Sequence, residues 1–464
     1  MNQTRKKRLA GVVAVTTAAA LVAGACGAKK ETSEPTTTAA VTETTAASTE
    51  TTAATETTAA NTDTTAAPMA TDLAGILGWD NSLAGVKCNF GSVLALTGPG
   101  SFYGKTMSRG IDLAIELIKE AGGPEFSVEY WDHKSGDAAA GVLAMTEIVA
   151  KGITVKLASY VDDLGAMLGD TAKHHVFTLD GGGGTSVFGQ GQPFFWGTRA
   201  ITPNDTLPGV FAWWKATNPG KLKVGLMGWE LGALNDIIKV DVLAKIAAAG
   251  MEFNGLYELA AIGASDYATS LTKIKANEPD LLIVSIYGQD PGLFANQAAT
   301  AGIKAFMMGS EFTPDGINAS KGTYDQNGWT FAYDYFDAGS PDLNPLAKLF
   351  VEKFTAKNGE APDFYAANFF ENTVRLWELM AEAKKSGIAD DKLCNGDTLN
   401  GAMEADPTLV SLYGGSPTEV GTSTHDLTTH SVIKRPMGAF TYKDGKVTTL
   451  ATFGIDGADF KIVG

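Results

Sequence analysis

A glycine turn followed by an acidic residue is the first feature of this sequence whose residue types could do chemistry. Gly98 and Gly100 follow a short apolar run, and Asp132 ends the next one. A glycine turn between strand and helix, with an acid at the next strand end, is typical of dinucleotide binding. Tyr103 stands where the third glycine of that fingerprint belongs. A nucleotide-dependent oxidoreductase is therefore a remote alternative, and a binding cleft at the carboxyl ends of strands is the stronger prediction.

Other catalytic and metal-binding patterns are not found. The five histidines include no pair at i, i+4 spacing, so we expect no metal site. No Gly-x-Ser-x-Gly segment offers a nucleophile elbow. A formal net charge of −16 argues against a nucleic-acid partner. We therefore expect a protein that is not an enzyme and uses no cofactor.

The elements that must position such a cleft alternate along the chain. Strand-like and helix-like segments follow each other from about residue 86, pause at 194–205, and resume at 223–309. A hairpin pattern closes the chain at 438–453. Repeated βα units predict an α/β fold with two doubly wound parallel sheets and a cleft between two lobes.

The first 25 residues have the pattern of a secretion signal. A basic cluster at 5–8 precedes an apolar stretch at 9–22 that is too short and too rich in Ala and Thr for a stable membrane span. Small residues then precede Cys26, which resembles a bacterial lipobox. We interpret Cys26 as the lipidated N-terminus of an exported protein. An ordinary signal peptide cleaved at the same bond, giving a freely secreted protein, remains the alternative.

Residues 26–83 are expected to be a disordered tether behind that N-terminus. The unit Glu-Thr-Thr-Ala-Ala recurs three times in this region, and large apolar side chains are scarce. A chain of this composition cannot recover the entropy lost on ordering. The tether would hold a globular part clear of a membrane surface.

At this point the globular part resembles type I periplasmic solute-binding proteins of ABC importers, in the branched-chain amino acid/amide (leucine-binding protein-like) group. No single motif is diagnostic, but their order and spacing are characteristic. The segments that carry the resemblance are 96–105, 121–123, Asp132 with 136–137, 287–291, 308–311 and 442–446.

The resemblance implies a Venus-flytrap fold with a three-crossover hinge and the solute held between two lobes. The crossovers would fall near residues 198–205, 334–338 and 435–438. The N-terminal lobe would comprise 84–200 plus 337–436, and the C-terminal lobe 201–336 plus 437–464.

The resemblance also implies ligand contacts from the N-terminal lobe. Phe102 and Tyr103 would overhang the cleft mouth, unless they merely pack at the base of their loop. Loops after the third and fourth strands would bind a ligand carboxylate through hydroxyl and backbone N–H groups, namely Ser159, Tyr160, Gly183, Gly184 and Thr185. Asp180 adds an acid there, and the glycine run departs from the family pattern, so a plain flexible loop is the alternative.

From the C-terminal lobe, the resemblance implies that Glu311 accepts hydrogen bonds from a ligand ammonium. An exposed acid in a turn is the alternative for this residue. Trp229 stands where the family often has a contacting aromatic side chain. Tyr287 is the second expected contact, although a tyrosine at a strand end often belongs only to the rim of a core.

Three cysteines divide into Cys26 for the lipid and a pair, Cys88 and Cys394, which would both lie in the N-terminal lobe. An exported chain permits a disulfide between them. Two free buried thiols are the alternative.

The expected function is an extracytoplasmic solute-binding protein, anchored to the outer face of the cell membrane. It would deliver a small amine-bearing solute, such as a branched-chain or other amino acid or an amide, to the permease and ATPase subunits of an ABC importer. We expect a monomer that contacts the membrane only through its lipid. The alternative is a ligand-sensing protein that signals through a separate partner.

Overall fold

Two sheets and the helices packed on them form the frame of the binding region. The computed structural model describes residues 72–159, 161–182, 189, 191–200 and 202–463. Its helices are α1 (Leu73–Leu77), α2 (Ser101–Glu120), α3 (Ala138–Ala150), α4 (Val161–Lys173), α5 (Leu207–Thr217), α6 (Leu234–Ala248), α7 (Ala268–Ala276), α8 (Asp290–Ala301), α9 (Pro314–Ser320), α10 (Thr323–Asn327), α11 (Pro345–Asn358), α12 (Phe364–Lys385) and α13 (Gly396–Ala405).

Its strands are β1 (Lys87–Leu94), β2 (Glu125–Asp132), β3 (Val155–Ala158), β4 (Phe177–Asp180), β5 (Phe195–Gly197), β6 (Lys223–Trp229), β7 (Glu252–Ala260), β8 (Leu281–Ser285), β9 (Phe306–Gly309), β10 (Thr330–Asp334), β11 (Thr408–Ser416), β12 (Glu419–His425), β13 (Val432–Lys434), β14 (Pro436–Lys443), β15 (Lys446–Gly454) and β16 (Lys461–Ile462). Short 3-10 turns lie at Asn204–Thr206 and Asp390–Lys392.

The first sheet is parallel and has the order β2-β1-β3-β4-β5. The second has the order β16-β15-β14-β10-β9-β8-β6-β7, with β6 to β10 parallel and the C-terminal hairpin pairing antiparallel to β10. The predicted α/β class with doubly wound parallel sheets is therefore confirmed. The carboxyl ends of the parallel strands are where open sheets of this kind bind ligands.

The apolar periodicity of α2 explains why it forms and where it packs. Met107, Ile111, Ala114 and Ile118 share one face, and each is almost completely buried. Gly104 lets the helix approach β1 closely, because a Cβ atom there would lie 2.1 Å from the Ala95 carbonyl oxygen. The glycine turn thus has a packing role that fixes the start of α2 beside the strand end.

Asp132, the acid at the end of β2, holds this turn in place. Its Oδ1 accepts hydrogen bonds from the backbone N–H groups of Leu96 (2.9 Å), Thr97 (3.2 Å) and Lys134 (2.8 Å). Burial alone would raise the pKa of Asp132, but these bonds and the Thr97 hydroxyl group keep it below its ordinary value. Asp132 therefore accepts hydrogen bonds from the protein's own loop. This arrangement does not support a role for Asp132 in binding the ribose of a dinucleotide.

The chain passes between the regions of the two sheets three times. It leaves the first sheet after Gly197, leaves the second after Asp334, and returns to the second at Pro436. Between the last two passages lie α11, α12, α13 and a third, antiparallel sheet of order β11-β12-β13. That sheet was not predicted from the sequence. The residue bounds of the two lobes stay a prediction.

The fold begins earlier than the sequence suggested. Residues 72–83 were assigned to the disordered tether, but α1 is capped by Asp72, and Leu73 and Leu83 are buried. Trp79 packs edge-on against Trp377 of α12, with ring centroids 4.9 Å apart. Buried apolar side chains recover the ordering entropy here, so this assignment was wrong for residues 72–83. Residues 1–71, including Cys26, lie outside the described part.

Cys88 of β1 and Cys394, just before α13, form a disulfide in the structure. Cys88 is almost completely buried. The bond ties the beginning of the first sheet to a segment 306 residues further along the chain.

Among the described residues, no helix combines the length and the apolar character that crossing a bilayer requires.

Candidate functional site

A cavity of about 100 Å³ lies where strand ends of both sheets meet. The first-sheet side contributes residues of α2, α12 and the loop after β4, and the first passage adds Arg199, Thr202 and Asn204. The second-sheet side contributes residues of β6, β7, β8 and α6, together with Glu311. The lining is mostly apolar, with a few polar groups, as expected of a site for a small organic molecule.

Glu311 joins the two sides of this cavity. The Tyr103 hydroxyl group, from α2, donates to one of its carboxylate oxygens, and the Tyr365 hydroxyl group, from α12, donates to the other. Tyr103 also accepts a hydrogen bond from the Gly288 N–H group at 2.9 Å. These bonds bridge helices of the first sheet and loops of the second, so the cleft is closed at this point.

The charge of Glu311 is set by competing effects. Its side chain is only 2% exposed, and burial raises the pKa of Glu311 above its ordinary value. The Arg199 guanidinium and the hydroxyl groups of Tyr103 and Tyr365 offset part of this rise. The structure thus excludes the exposed-turn interpretation of Glu311 and gives a buried acid facing a mostly apolar cavity.

An ionic cluster joins the three passages behind the cavity. Arg199 donates through Nε to one oxygen of Asp334, and Arg435 donates through Nε to the other. Arg435 also donates to Glu371 of α12 at 2.8 Å. Burial alone would raise the pKa of Asp334, but the two guanidinium groups keep it below its ordinary value. Buried pairs of this kind are costly to break by removing one partner.

Two aromatic side chains form a wall on the second-sheet side. The rings of Trp229 and Tyr287 have centroids 5.1 Å apart. The Trp229 indole N–H donates to Asp290 at 2.9 Å, and the Tyr287 hydroxyl donates to the Thr202 carbonyl oxygen at 2.6 Å. Because their polar atoms are bonded within the protein, these side chains present mainly ring surface to the cavity.

Four of the predicted site residues line the cavity together: Tyr103, Trp229, Tyr287 and Glu311. Phe102 does not, since it lines a separate groove and packs edge-on against Tyr103 at 5.6 Å. Ser159 and Asp180 are buried at the ends of β3 and β4 but are not lining residues. Asp180 instead accepts a hydrogen bond from the Gly182 N–H group at 2.9 Å. Tyr160, Gly183, Gly184 and Thr185 lie outside the described residues.

Sequence reasoning missed several polar residues of the cavity, among them Arg199, Asn204 and Tyr365. Arg199 and Asn204 lie in the stretch where the strand and helix patterns pause, and a charged residue in such a stretch was a signal that could have been followed. Tyr365 lies in the long helix α12 among apolar neighbours, so the sequence pattern does not indicate that it lines the cleft.

Within the described residues, no cluster of His, Cys, Asp and Glu suits a metal ion.

A curated protein is similar to this chain over most of its length. The chain is 23% identical over 394 residues to the Leu/Ile/Val-binding protein homolog 3 of Brucella melitensis. The aligned residues cover 80% of this chain and 95% of that protein.

Solved structures show the same fold at low sequence identity. A leucine binding protein from Thermotoga maritima matches with a TM-score of 0.65 and 16% identity, over 79% of this chain and 98% of that one. A solute binding protein of an ABC transporter from R. palustris, solved with benzoate, matches with a TM-score of 0.63 and 19% identity, over 82% and 98%.

A family model described as "periplasmic binding protein" matches residues 87–444, which include the first sheet, the second sheet as far as β14, and every residue that lines the cavity. That family acts outside the cytoplasm, in agreement with the secretion signal predicted for the N-terminus. The chain belongs to the periplasmic binding protein family.

Proposed function

We propose that this protein captures a small solute between its two lobes and delivers it to the permease and ATPase subunits of an ABC importer. The family and the curated relative support the class of protein. The cavity between strand ends of both sheets supports capture by closure. Work of this kind needs no catalysis, since the ligand only has to stabilise the closed arrangement more than the open one.

The observation that carries this proposal is the contact of Glu311 with both Tyr103 and Tyr365 beside the cavity. A single buried carboxylate gathers groups from two helices on one side and lies at a strand end of the other. A ligand that reaches Glu311 therefore touches both sides at once. Such bridging is what couples binding to closure.

The first candidate ligand is an apolar amino acid or its amide. Glu311 provides a counter-charge for an ammonium group, and a carboxylate can accept more hydrogen bonds than its two tyrosine partners make. The apolar part of the cavity, with Leu226, Ile283 and Val242, suits a compact hydrocarbon side chain. A free ammonium ion would be costly to bury in such a place without Glu311.

The second candidate is an apolar carboxylic acid that has no amine. Both oxygens of Glu311 already accept tyrosine hydroxyl groups, and Arg199 lines the same cavity. The R. palustris structure of the same fold was solved with benzoate.

A ligand panel tests the proposal. We expect one or more of leucine, isoleucine, valine, leucinamide, 4-methylpentanoate and benzoate to raise the melting temperature and to bind one to one in calorimetry. Urea and polyamines serve as comparison ligands with no apolar body. If no member of the apolar set binds at millimolar concentration, the proposed ligand class is wrong. Loss of radiolabelled uptake in a deletion strain distinguishes an importer component from a sensor.

We also propose that the mature protein is a monomer tethered to the outer face of the membrane by a lipid on Cys26. The substitution Cys26→Ala should move the protein from the membrane fraction to the medium, because the tether contributes no apolar anchor of its own. Ser33→Ala, in the same segment, should leave it in the membrane fraction. A wild-type protein that is already soluble and begins with an unmodified Cys26 would contradict this proposal.

A further inference from the structure

We propose that Arg199 and Asn204 form a carboxylate-binding subsite at the hinge side of the cavity, and that the solute is a monocarboxylate with a compact apolar body. The inference rests on the proposed function, because it places the ligand in the same cavity. It differs from the sequence-based expectation, which assigned the ligand carboxylate to the loops after β3 and β4.

Two donor atoms on residues that line the cavity have no partner among the residues that the structure describes. They are Nη2 of Arg199 and Nδ2 of Asn204, and both residues are 2% exposed. Buried polar atoms without a partner occur elsewhere in the described chain, but these two are the ones whose residues line this cavity. A buried donor left unpaired costs about 1–3 kcal/mol, and more when it is charged. An acceptor in the cavity would remove that cost.

The Arg199 guanidinium is held in a fixed orientation. Its Nε donates to Asp334, and its planar group lies over the rings of Tyr365 and Phe364, 4.5 Å and 4.7 Å from their centroids. The second oxygen of Asp334 accepts a hydrogen bond from Arg435, so only one oxygen of Asp334 accepts from Arg199. The remaining edge of the guanidinium suits a second carboxylate, which is the group that a planar fork of donors binds best.

The apolar lining of the cavity indicates the character of the part of the ligand that lies beyond its carboxylate. Leu226, Ile238, Val242 and Ile283 lie on the same cavity as the two donors. The cavity of about 100 Å³ is smaller than the apolar cavity of about 150 Å³ that is known to bind benzene, so the apolar body of the ligand must be compact. A second charge in this part of the cavity would have no partner among these side chains.

The position of the subsite gives it a mechanical consequence. Arg199 lies in the first passage, Asp334 ends the strand before the second, and Arg435 lies in the third. A ligand carboxylate bound to Arg199 would thus contact a member of the ionic cluster that joins all three passages. Binding at this place can therefore stabilise one hinge arrangement over another.

Matched probes test the subsite on the purified full-length mature protein. The set is 4-methylpentanoate and benzoate, each against its neutral amide, with leucine and leucinamide as the pair that also carries an ammonium group. Calorimetry on the wild type should show at least tenfold weaker binding for each amide, the value for a lost hydrogen bond to a charged group.

The variants alter Asn204 and not Arg199, because Arg199 also belongs to the ionic cluster that joins the three passages. A change of Arg199 would disturb that cluster as well as the subsite. Asn204→Leu should weaken carboxylate binding about tenfold, and Asn204→Asp about a hundredfold, since it replaces a donor by a like charge. Asn204→Asp should not weaken leucinamide. Asn296→Asp, on α8 and not a lining residue, is the matched control and should bind every probe like the wild type.

Three results would overturn the subsite. The first is that no carboxylate of the set binds at 20 mM, while leucinamide or another amine binds, which leaves the importer function standing. The second is that acids and amides bind alike. The third is that both Asn204 variants bind acids like the wild type. If a variant does not fold, the acid–amide comparison on the wild type still decides. Failure of every apolar probe would refute the proposed ligand class as well.

Discussion

At the scale of single residues, Glu311 has more acceptor capacity than its partners in the structure use. A carboxylate offers about four lone-pair positions, and the hydroxyl groups of Tyr103 and Tyr365 occupy one on each oxygen. Glu311 lines the cavity, where it is the one carboxylate among the lining residues that the structure describes. This residue therefore decides between an amine-bearing solute and one without an amine.

Glu311→Gln keeps the shape of the side chain and removes its charge. If the solute has an ammonium group, affinity should fall by about 1.5–3 kcal/mol in calorimetry, the range for hydrogen bonds to charged groups. Affinity for 4-methylpentanoate should fall much less. Glu230→Gln, which alters an exposed acid on the same side, is the control. Unchanged binding of leucine to Glu311→Gln would mean that no ammonium lies there.

The pH dependence of binding should carry the same information. Burial raises the pKa of Glu311 in the unliganded protein, so the acid is neutral over a wider range than usual. Affinity for leucinamide should therefore rise with pH as the carboxylate forms, and level off above its raised pKa. Calorimetry between pH 4 and pH 7 measures this, a range in which leucinamide keeps its ammonium group, since an α-amino group has a pKa of about 7.7–8.0. The Glu311→Gln variant should show no such rise.

At the scale of elements, the disulfide between Cys88 and Cys394 ties β1 to the segment before α13. The sequence separation of 306 residues gives a stabilisation of roughly 5–6 kcal/mol in the chain-entropy model. The double variant Cys88→Ala/Cys394→Ala should lose up to that much free energy of unfolding in denaturant titration. Wild-type protein under reducing conditions is the control. Recovery of both thiols alkylated without prior reduction would contradict the bond.

The sequence predicted elements well where one face of an element is uniformly apolar. The stripe from Met107 to Ile118 marked α2, and short apolar runs marked β1 to β4 and β6 to β9. The sheet of β11, β12 and β13 was missed because its strands are rich in Ser, Thr and Gly. Gly414 and Gly415 even have positive φ within β11. Tertiary packing on α12, rather than local pattern, holds these strands in place.

The same limit explains which site residues were found. Trp229 ends a strand of the second sheet, and Tyr287 and Glu311 follow two others. The end of a parallel strand is visible in the sequence. The Tyr103–Glu311 and Glu311–Tyr365 contacts join residues 208 and 54 positions apart. Arg199 and Asn204 reach the cavity only through the path of the first passage. No periodicity in the chain encodes that path.

At the scale of the whole molecule, we propose that two lobes close on a solute. The contacts of Glu311 bridge the two sides, and the cluster of Arg199, Asp334 and Arg435 joins the passages about which they would move. A ligand with contacts on both sides stabilises the closed state by its differential affinity for it. We therefore expect that the two lobes close when the solute binds.

Electron–electron double resonance between two spin labels tests that claim most directly. Leu143→Cys on α3 and Val240→Cys on α6 are suited to labelling, since these side chains are 59% and 70% exposed. Saturating solute from the ligand panel should shift the distance distribution to one shorter and narrower population. The Glu311→Gln variant should need more solute to reach it. A distribution that saturating solute leaves unchanged would contradict closure on ligand.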